Sequence, residues 1–338
     1  VISDGEIELE SCRFTGAVLD PRTNEGGCGL LISGSSKGYV KECDALHNEA
    51  NGIAVADHAQ PTLEGNRCQE NGWSGIGYSG SASGLARRNT CFRNKGFGIC
   101  VLDSAQPTLE GSTCEENEAS GIGYFGSAGG LGTNNTCCRN KMPGIVVGGE
   151  ARPTLEQNKC QENEESGITY AGFASGVARN NYCCRNKGNG IYVGEKAQPT
   201  LEGNTCEDNE GSGIAYVGSA AGVARNNTCA RNKQYGIYVD QQAQPTLQGN
   251  TCKGNGAEPE PGAPEKESAQ VWTAVGWLLT VIAGLAWFVE CQRRQALEEQ
   301  LRRLQGPGCV VLLAVLGMLA FASSVIAAEL LYLLGIGG

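Results

Sequence analysis

Residues 199–221 read Pro-Thr-Leu-Glu-Gly-Asn-Thr-Cys-Glu-Asp-Asn-Glu-Gly-Ser-Gly-Ile-Ala-Tyr-Val-Gly-Ser-Ala-Ala. This stretch is one unit of a repeat that governs most of the chain. Its Gly213-Ile214 pair recurs from Gly52-Ile53 to Gly236-Ile237, always 23 residues on. Its Cys206 belongs to a column from Cys68 to Cys252 with the same step. Its Asn209 belongs to a column from Asn48 to Asn255. Its Asn204 belongs to another, from Asn66 to Asn250, in which Ser112 fills one gap. A period of 23 is too short for a pair of helices and suits one turn of a β-solenoid. Short β-rich runs such as Gly190-Ile-Tyr-Val193 are broken by Gly, Asn and Pro. Stacked coils bring equivalent residues to ~4.8 Å, so identical residues form ladders, and nine coils span roughly 43 Å. Ile and Cys then fill the interior. Asn amides bond along the stack and satisfy the backbone of the turns.

A second period of 46 is superposed on the first. Coils bearing Pro-Thr-Leu-Glu alternate with coils bearing Gly-Val-Ala-Arg or a variant. One column reads Glu64, Arg87, Glu110, Thr133, Glu156, Arg179, Glu202, Arg225, Gln248. Another alternates Glu70, Arg93, Glu116, Arg139, Glu162, Arg185, Asp208, Arg231, and a third alternates Lys95 and Glu118 through to Lys233. Like charges at this spacing repel and opposite charges attract, so the alternation fixes coil register and accounts for nearly every charge in the repeat.

The Pro-Thr-Leu-Glu-Gly-Asn-x-Cys and Ser-Gly-Ile motifs resemble the right-handed β-helix repeats of the pectate-lyase-like superfamily. They are closest in style to NosD-like proteins and to the "carbohydrate-binding and sugar hydrolase" repeats of F-box-only adaptors. The resemblance covers residues ~40–256. It implies an all-β right-handed parallel β-helix of 23-residue coils, within a superfamily of lyases, hydrolases and non-catalytic binders. Cysteine stands where those families place an aliphatic residue more often, and no F-box-like helical segment is present.

Composition bounds the rest. The net charge of -10 excludes nucleic acid as the main partner. The only histidines, His47 and His58, exclude a histidine-rich metal site. No cofactor is expected. The 17 cysteines follow the repeat and not a disulfide framework, and buried free thiols are expected because ladder side chains point in parallel. The adjacent pairs Cys137-Cys138 and Cys183-Cys184 place only their first members in the ladder, with no CxxC pair to hold a metal. Residues 1–39 fit no clean register and are expected to form irregular coils ahead of a regular stack over 40–256. The chain opens at Val1 without a methionine or signal peptide and reads as a fragment or processed product.

Beyond the repeat, residues 257–270 read as a polar, Pro-rich linker. Residues 271–289 carry no charge over a length of about 29 Å as a helix, and a second apolar run spans 309–331. Both are expected to cross a bilayer. The loop between them, 290–308, contains Arg293, Arg294, Arg302 and Arg303, which favours a cytoplasmic loop and an extracytoplasmic β-helix. The thiol ladder favours a reducing compartment and argues for the opposite orientation. Small residues Gly317, Ala320, Ser324 and Ala328 fit close helix packing and a homo-oligomer.

Strand alternation places Ile76 and Tyr78 inward and Gly77 and Ser79 outward. Tyr78, Tyr124, Tyr170 and Tyr216, 46 residues apart, therefore read as core. The two outward columns beside the isoleucines are nearly uncharged and include Leu102, Phe125, Val146, Tyr192, Val217 and Tyr238. These six are the candidate binding residues, for a protein partner, a second copy or a neutral glycan. Carboxylates at the strand ends, Asp57, Asp103 and Glu195, are the only catalytic candidates. Asp57 and Asp103 are roughly 9.6 Å apart across two coils, at or beyond the usual glycosidase separation, and turn positions are the plainer account. Asn134 and Asn226 head Asn-x-Thr sequons. Two functions follow: a membrane-held scaffold or binding module, or a membrane-anchored carbohydrate-active enzyme. A subunit of an oligomeric membrane complex is a third.

Overall fold

The structure, a computed structural model, describes residues 1–20 and 26–257. Every described secondary-structure element is a strand. Each coil contributes three, as in Ile214–Tyr216, Val223–Arg225 and Thr228–Ala230. They build three parallel sheets of eleven strands each. Register is the one that the columns dictate: Ile76 opposite Ile99, Ala86 opposite Leu109, Cys91 opposite Cys114. We refer to these as the first, second and third sheets, in the order a coil visits them.

Coils with three residues at positive φ alternate with coils that have four, as Asp103, Gly111 and Glu116 are followed by Gly126, Gly130, Asn134 and Arg139. One corner uses the alternating charged column, from Glu70 (φ 53°) to Arg231 (φ 54°). L-residues pay for this conformation in sterics, and the asparagine ladders offset it. Asn140 Nδ2 donates to Cys114 O at 3.1 Å and to Asn163 Oδ1 at 3.0 Å, while its own Oδ1 accepts from Asn117 N at 3.1 Å. The second ladder behaves alike: Asn158 Nδ2 donates to Gly132 O and to Asn181 Oδ1. Each buried amide thus bonds a strand carbonyl beside the corner and extends a chain of hydrogen bonds along the stack.

The 46-residue period has a packing cause inside the coil. Tyrosine coils carry a small residue on the second sheet: Tyr78 with Ala86, Tyr124 with Gly132, Tyr170 with Ala178, Tyr216 with Ala224. Valine coils carry leucine there: Val101 with Leu109, Val193 with Leu201. A Cβ on Gly132 would lie 2.9 Å from the Tyr124 hydroxyl, so the ring reaches across the interior into the space that leucine fills one coil away. Volume is conserved within each coil, as close packing requires. The four tyrosine hydroxyls are buried without a hydrogen-bond partner, and burial pushes these phenols up. The fifteen cysteines of the described residues are free. Burial, then hydrogen bonds with Cys114 and Cys160, holds the Cys137 thiol well above its ordinary value.

The N-terminal residues form a coil of irregular length whose strands nevertheless pair with the rest. Strands Ile2–Ser3, Glu6–Glu10 and Arg13–Thr15 join the three sheets as their first members. The step from Arg13 to Asp44 is 31 residues where Cys43 to Asn66 is 23, and the extra residues fall between the third sheet and the next strand, Leu30–Ser33. Among the described residues no helix is long and apolar enough to cross a membrane. The expected spans 271–289 and 309–331, the loop 290–308 and all of the linker beyond Ala257 lie outside the described residues.

Candidate binding surface

The outer faces of the second and third sheets and their corners are charged, and many of the charges are paired along the stack. Arg87 Nη2 lies 2.7 Å from Glu64, Arg225 Nη2 3.0 Å from Glu202, and Arg231 Nε 2.8 Å from Asp208. A shallow depression on the second sheet is lined by Glu10, Tyr39, Lys41, Thr62, Glu64 and Arg87. Its charges neutralise one another, with Lys41 Nζ 3.2 Å from Glu10. Hydrogen bonding from Arg87 holds the Glu64 carboxyl below the usual range, the reverse of what a general acid needs.

The three carboxylates considered for catalysis are corner residues. Asp57, Asp103 and Glu195 have φ of 60°, 59° and 57°. Each carboxylate accepts the amide N–H of the preceding coil: Asp57 from Gly34 at 2.9 Å, Asp103 from Gly80 at 2.9 Å, Glu195 from Gly172 at 2.7 Å. Asp240 does the same for Gly218 at 3.1 Å. The signal for this role was in the sequence. The same column holds Gly80, Gly126, Gly149, Gly172 and Gly218, all at positive φ, which marks a left-handed corner.

The outer face of the first sheet is nearly uncharged, with Asp240 and the corner carboxylate Glu195 beside Tyr192 as exceptions, and it is not the uniformly exposed surface expected. Leu102 and Val146 are each only 6% exposed, so neither is available to a partner. Phe125, Tyr192, Val217 and Tyr238 are half-buried. The cause is lateral. Phe97 meets Phe125 edge to face at 5.6 Å, and both rings lean over Gly123, where a Cβ would lie 2.7 Å from Phe125. The Tyr192 ring leans over Gly194, 2.6 Å from where a Cβ would be. Tyr235 and Tyr238 are tilted together at 5.5 Å. Two aromatic pairs result, Phe97 with Phe125 and Tyr235 with Tyr238, and Tyr192 stands two coils before Tyr238 with Ala215 between them. Phe97 and Tyr235 were not among the sequence candidates, because they precede the strands and alternation does not reach them.

One carboxyl stands apart. Glu165, in the turn before strand Ile168–Tyr170, is raised to about 6 by burial. Among the described residues no three His, Cys, Asp or Glu side chains converge on a metal-sized site.

A family model described as "Right handed beta helix region" matches residues 1–159 and 125–273. No curated protein matches the chain in sequence. Among solved structures, a double mutant of the periplasmic alginate epimerase AlgG is similar at a TM-score of 0.53 and 12% identity, over 66% of this chain and 70% of that one. The A-module of the Azotobacter vinelandii mannuronan C-5 epimerase AlgE4 aligns at 0.46 and 14%, over 69% and 91%. Pectate lyase Pel9A aligns at 0.41 and 14%, over 69% and 64%. At these identities the likeness is one of fold. On the strength of the matched repeats, the chain belongs to the right handed beta helix region family.

Proposed function

We propose that this protein is a non-catalytic β-helix binding module held at a membrane, and that the outer face of its first sheet recognises a neutral glycan. The observation that carries the reading is the contrast between surfaces. Many charges elsewhere are held in ion pairs and corner caps, whereas this face offers half-buried aromatic rings with few charges beside them. Aromatic rings present flat apolar area with a polar tip, which suits the mixed surface of a pyranose. The fold shared with an alginate epimerase supports a carbohydrate ligand, although that enzyme's polymer is anionic and this face is not. Anchoring rests on the apolar runs 271–289 and 309–331, with loop 290–308 on the cytoplasmic side.

The test is binding of the detergent-solubilised chain to immobilised neutral polysaccharides. Phe125→Lys with Tyr192→Lys should abolish retention while the β-sheet circular dichroism is unchanged. Undiminished retention by the double variant refutes the assignment. Capture of a protein instead of a glycan, lost in the same variant, would keep the surface and change its ligand.

A carbohydrate-active enzyme is the second reading, and Glu165 is the observation that favours it, since a proton donor at neutral pH needs such a raised value. Polysaccharide cleavage that vanishes in Glu165→Gln would establish it.

A further inference from the structure

The corner between the second and third sheets carries an asparagine in every second coil of its middle stretch. Asn134, Asn180 and Asn226 share one backbone conformation, with φ of 54° at each, and all three are exposed. The asparagine that follows each of them is not. Asn135, Asn181 and Asn227 belong to a buried ladder and are at most 1% exposed. Ladder amides are committed inside the stack: Asn135 Nδ2 donates to Leu109 O at 2.9 Å and to Asn158 Oδ1 at 3.0 Å. The amide of Asn134 instead donates to the hydroxyl of its own neighbour, Thr133, at 3.2 Å on the surface.

What separates the three equivalent corners is the residue two places on. It opens a third-sheet strand, and it is Thr136, Tyr182 and Thr228 in turn. Asn134-Asn135-Thr136 and Asn226-Asn227-Thr228 are therefore complete N-glycosylation acceptor motifs, and the chain contains no other Asn-x-Ser or Asn-x-Thr. Asn180-Asn181-Tyr182 is the same corner without the required hydroxyl residue, and Tyr182 instead donates a hydrogen bond to Glu207. The ladder asparagines beside these corners cannot complete the motif, because the position two places on belongs to the cysteine ladder. The motif thus occurs only where the amide lies in water.

The corner is also placed to carry a large substituent. Asn134 lies between Leu131–Thr133 of the second sheet and Thr136–Cys138 of the third, across the coil from the first-sheet strand Ile122–Tyr124. Asn134 and Asn226 are four coils apart, ~19 Å along the axis. Sugars there would leave the core, the asparagine ladders and the aromatic face untouched. The free thiols do not oppose an oxidising compartment, since the ladder from Cys68 to Cys229 is 0% exposed and closed to an oxidant.

We infer that Asn134 and Asn226 are N-glycosylated and that Asn180 is not. The step joins Nδ2 to the anomeric carbon of an oligosaccharide carried on a lipid pyrophosphate. The lipid pyrophosphate leaves with the electron pair of the broken bond, and the amide loses one proton. Modification needs the solenoid on the extracytoplasmic side and so rests on the membrane-anchored reading, but it does not depend on what the aromatic face binds.

The test is translation of the full chain with sealed endoplasmic-reticulum microsomes, followed by protease and then by peptide-N-glycosidase. A protected solenoid should carry two glycans. Asn134→Gln and Asn226→Gln should each remove one, and the pair should remove both. Glutamine suits this corner, because Gln157 holds the equivalent position with φ of 54°. Tyr182→Thr should add a third glycan, on Asn180. A solenoid protected from protease yet free of glycan overturns the assignment and leaves the membrane orientation standing. A solenoid digested from outside and free of glycan overturns both. Glycan that persists in the double variant, glycan on Asn180 of the wild type, or a Tyr182→Thr chain that stays at two glycans each overturns the assignment as well.

Discussion

The inward and outward columns of the first sheet alternate along the same eleven strands, yet they obey different rules. Inward, isoleucine recurs in every coil from Ile53 to Ile237, and tyrosine alternates with valine. Outward, the column beside them reads Ala54, Gly77, Cys100, Gly123, Val146, Thr169, Tyr192, Ala215, Tyr238, with no period at all. An inward side chain meets its own kind at ~4.8 Å above and below, so one substitution disturbs three coils. An outward side chain meets solvent and its lateral neighbours, and the stack does not prescribe it. Repetition therefore marks what holds the fold, and its loss marks where another requirement has acted. On the second and third sheets even the outer columns largely keep the 46-residue alternation, which leaves the first sheet as the face free to vary.

The largest effect should come from breaking an inward ladder. Asn140→Ala strips Cys114 O and Asn117 N of their hydrogen bonds to its side chain, while Asn163 Oδ1 keeps the backbone N–H of residue 140 at 3.1 Å. Each buried group left unsatisfied costs 1–3 kcal/mol, so the loss should be about 4 kcal/mol in guanidinium denaturation. A loss under about 1 kcal/mol would mean that the corner is not held by its amides, and the contrast between faces would collapse.

How far the sequence carried the fold follows from the same contrast. Columns of Cys, Ile and Asn specify a coil length, hence the register of three sheets, and the structure keeps that register throughout. The first coil was opaque because its 31-residue step puts Cys12 and Cys28 out of phase, although its strands pair like the others. On the outer face, alternation gives the direction of a side chain and not its cover. Leu102 and Val146 do lie in outward columns, but each is only 6% exposed. The corner acids were legible only by reading down their column to the glycines that share it.

Glu165 sharpens the comparison from the turn. Its carboxyl is raised from 4.5 to about 6 by burial, so the folded chain binds the proton more tightly than the unfolded chain. The stabilisation is complete below the unfolded value and is lost as pH rises through about 6. Glu165→Gln should therefore leave stability unchanged at pH near 4 and raise it by about 2 kcal/mol at pH near 7. Equal effects at both pH values would show that packing, and not the charge, sets the cost.

Tyr124→Phe addresses the interior without making a cavity. The hydroxyl is buried and unpaired, so its removal should raise stability by about 1 kcal/mol, seen as a higher thermal midpoint. A destabilised variant would mean that the hydroxyl has a partner, and the tyrosine column would then be more than volume set against Gly132.

The smallest effect should come from the outer charge ladder, regular though it is. Glu116 accepts from Arg93 Nε at 2.9 Å and lies 3.5 Å from Arg139 Nε, with all three side chains more than a third exposed. Hydrogen bonding from Arg93 lowers its pKa, so its contribution is present above the unfolded value and lost as pH falls through the folded one. Water and salt screen such a pair, and Glu116→Gln should cost no more than about 0.5 kcal/mol. That cost should vanish at about 1 M salt, where the screening length is ~3 Å. The ladder's value lies in what it forbids. A slip by one coil would stack Glu116 on Glu162 and Arg93 on Arg139, so alternation penalises the wrong register more than it strengthens the right one. Glu116→Lys, which places three cations in a row, should accordingly cost several times more than Glu116→Gln and recover in salt. Equal costs for the two variants would show that the ladder acts through hydrogen bonds and not through its charge order.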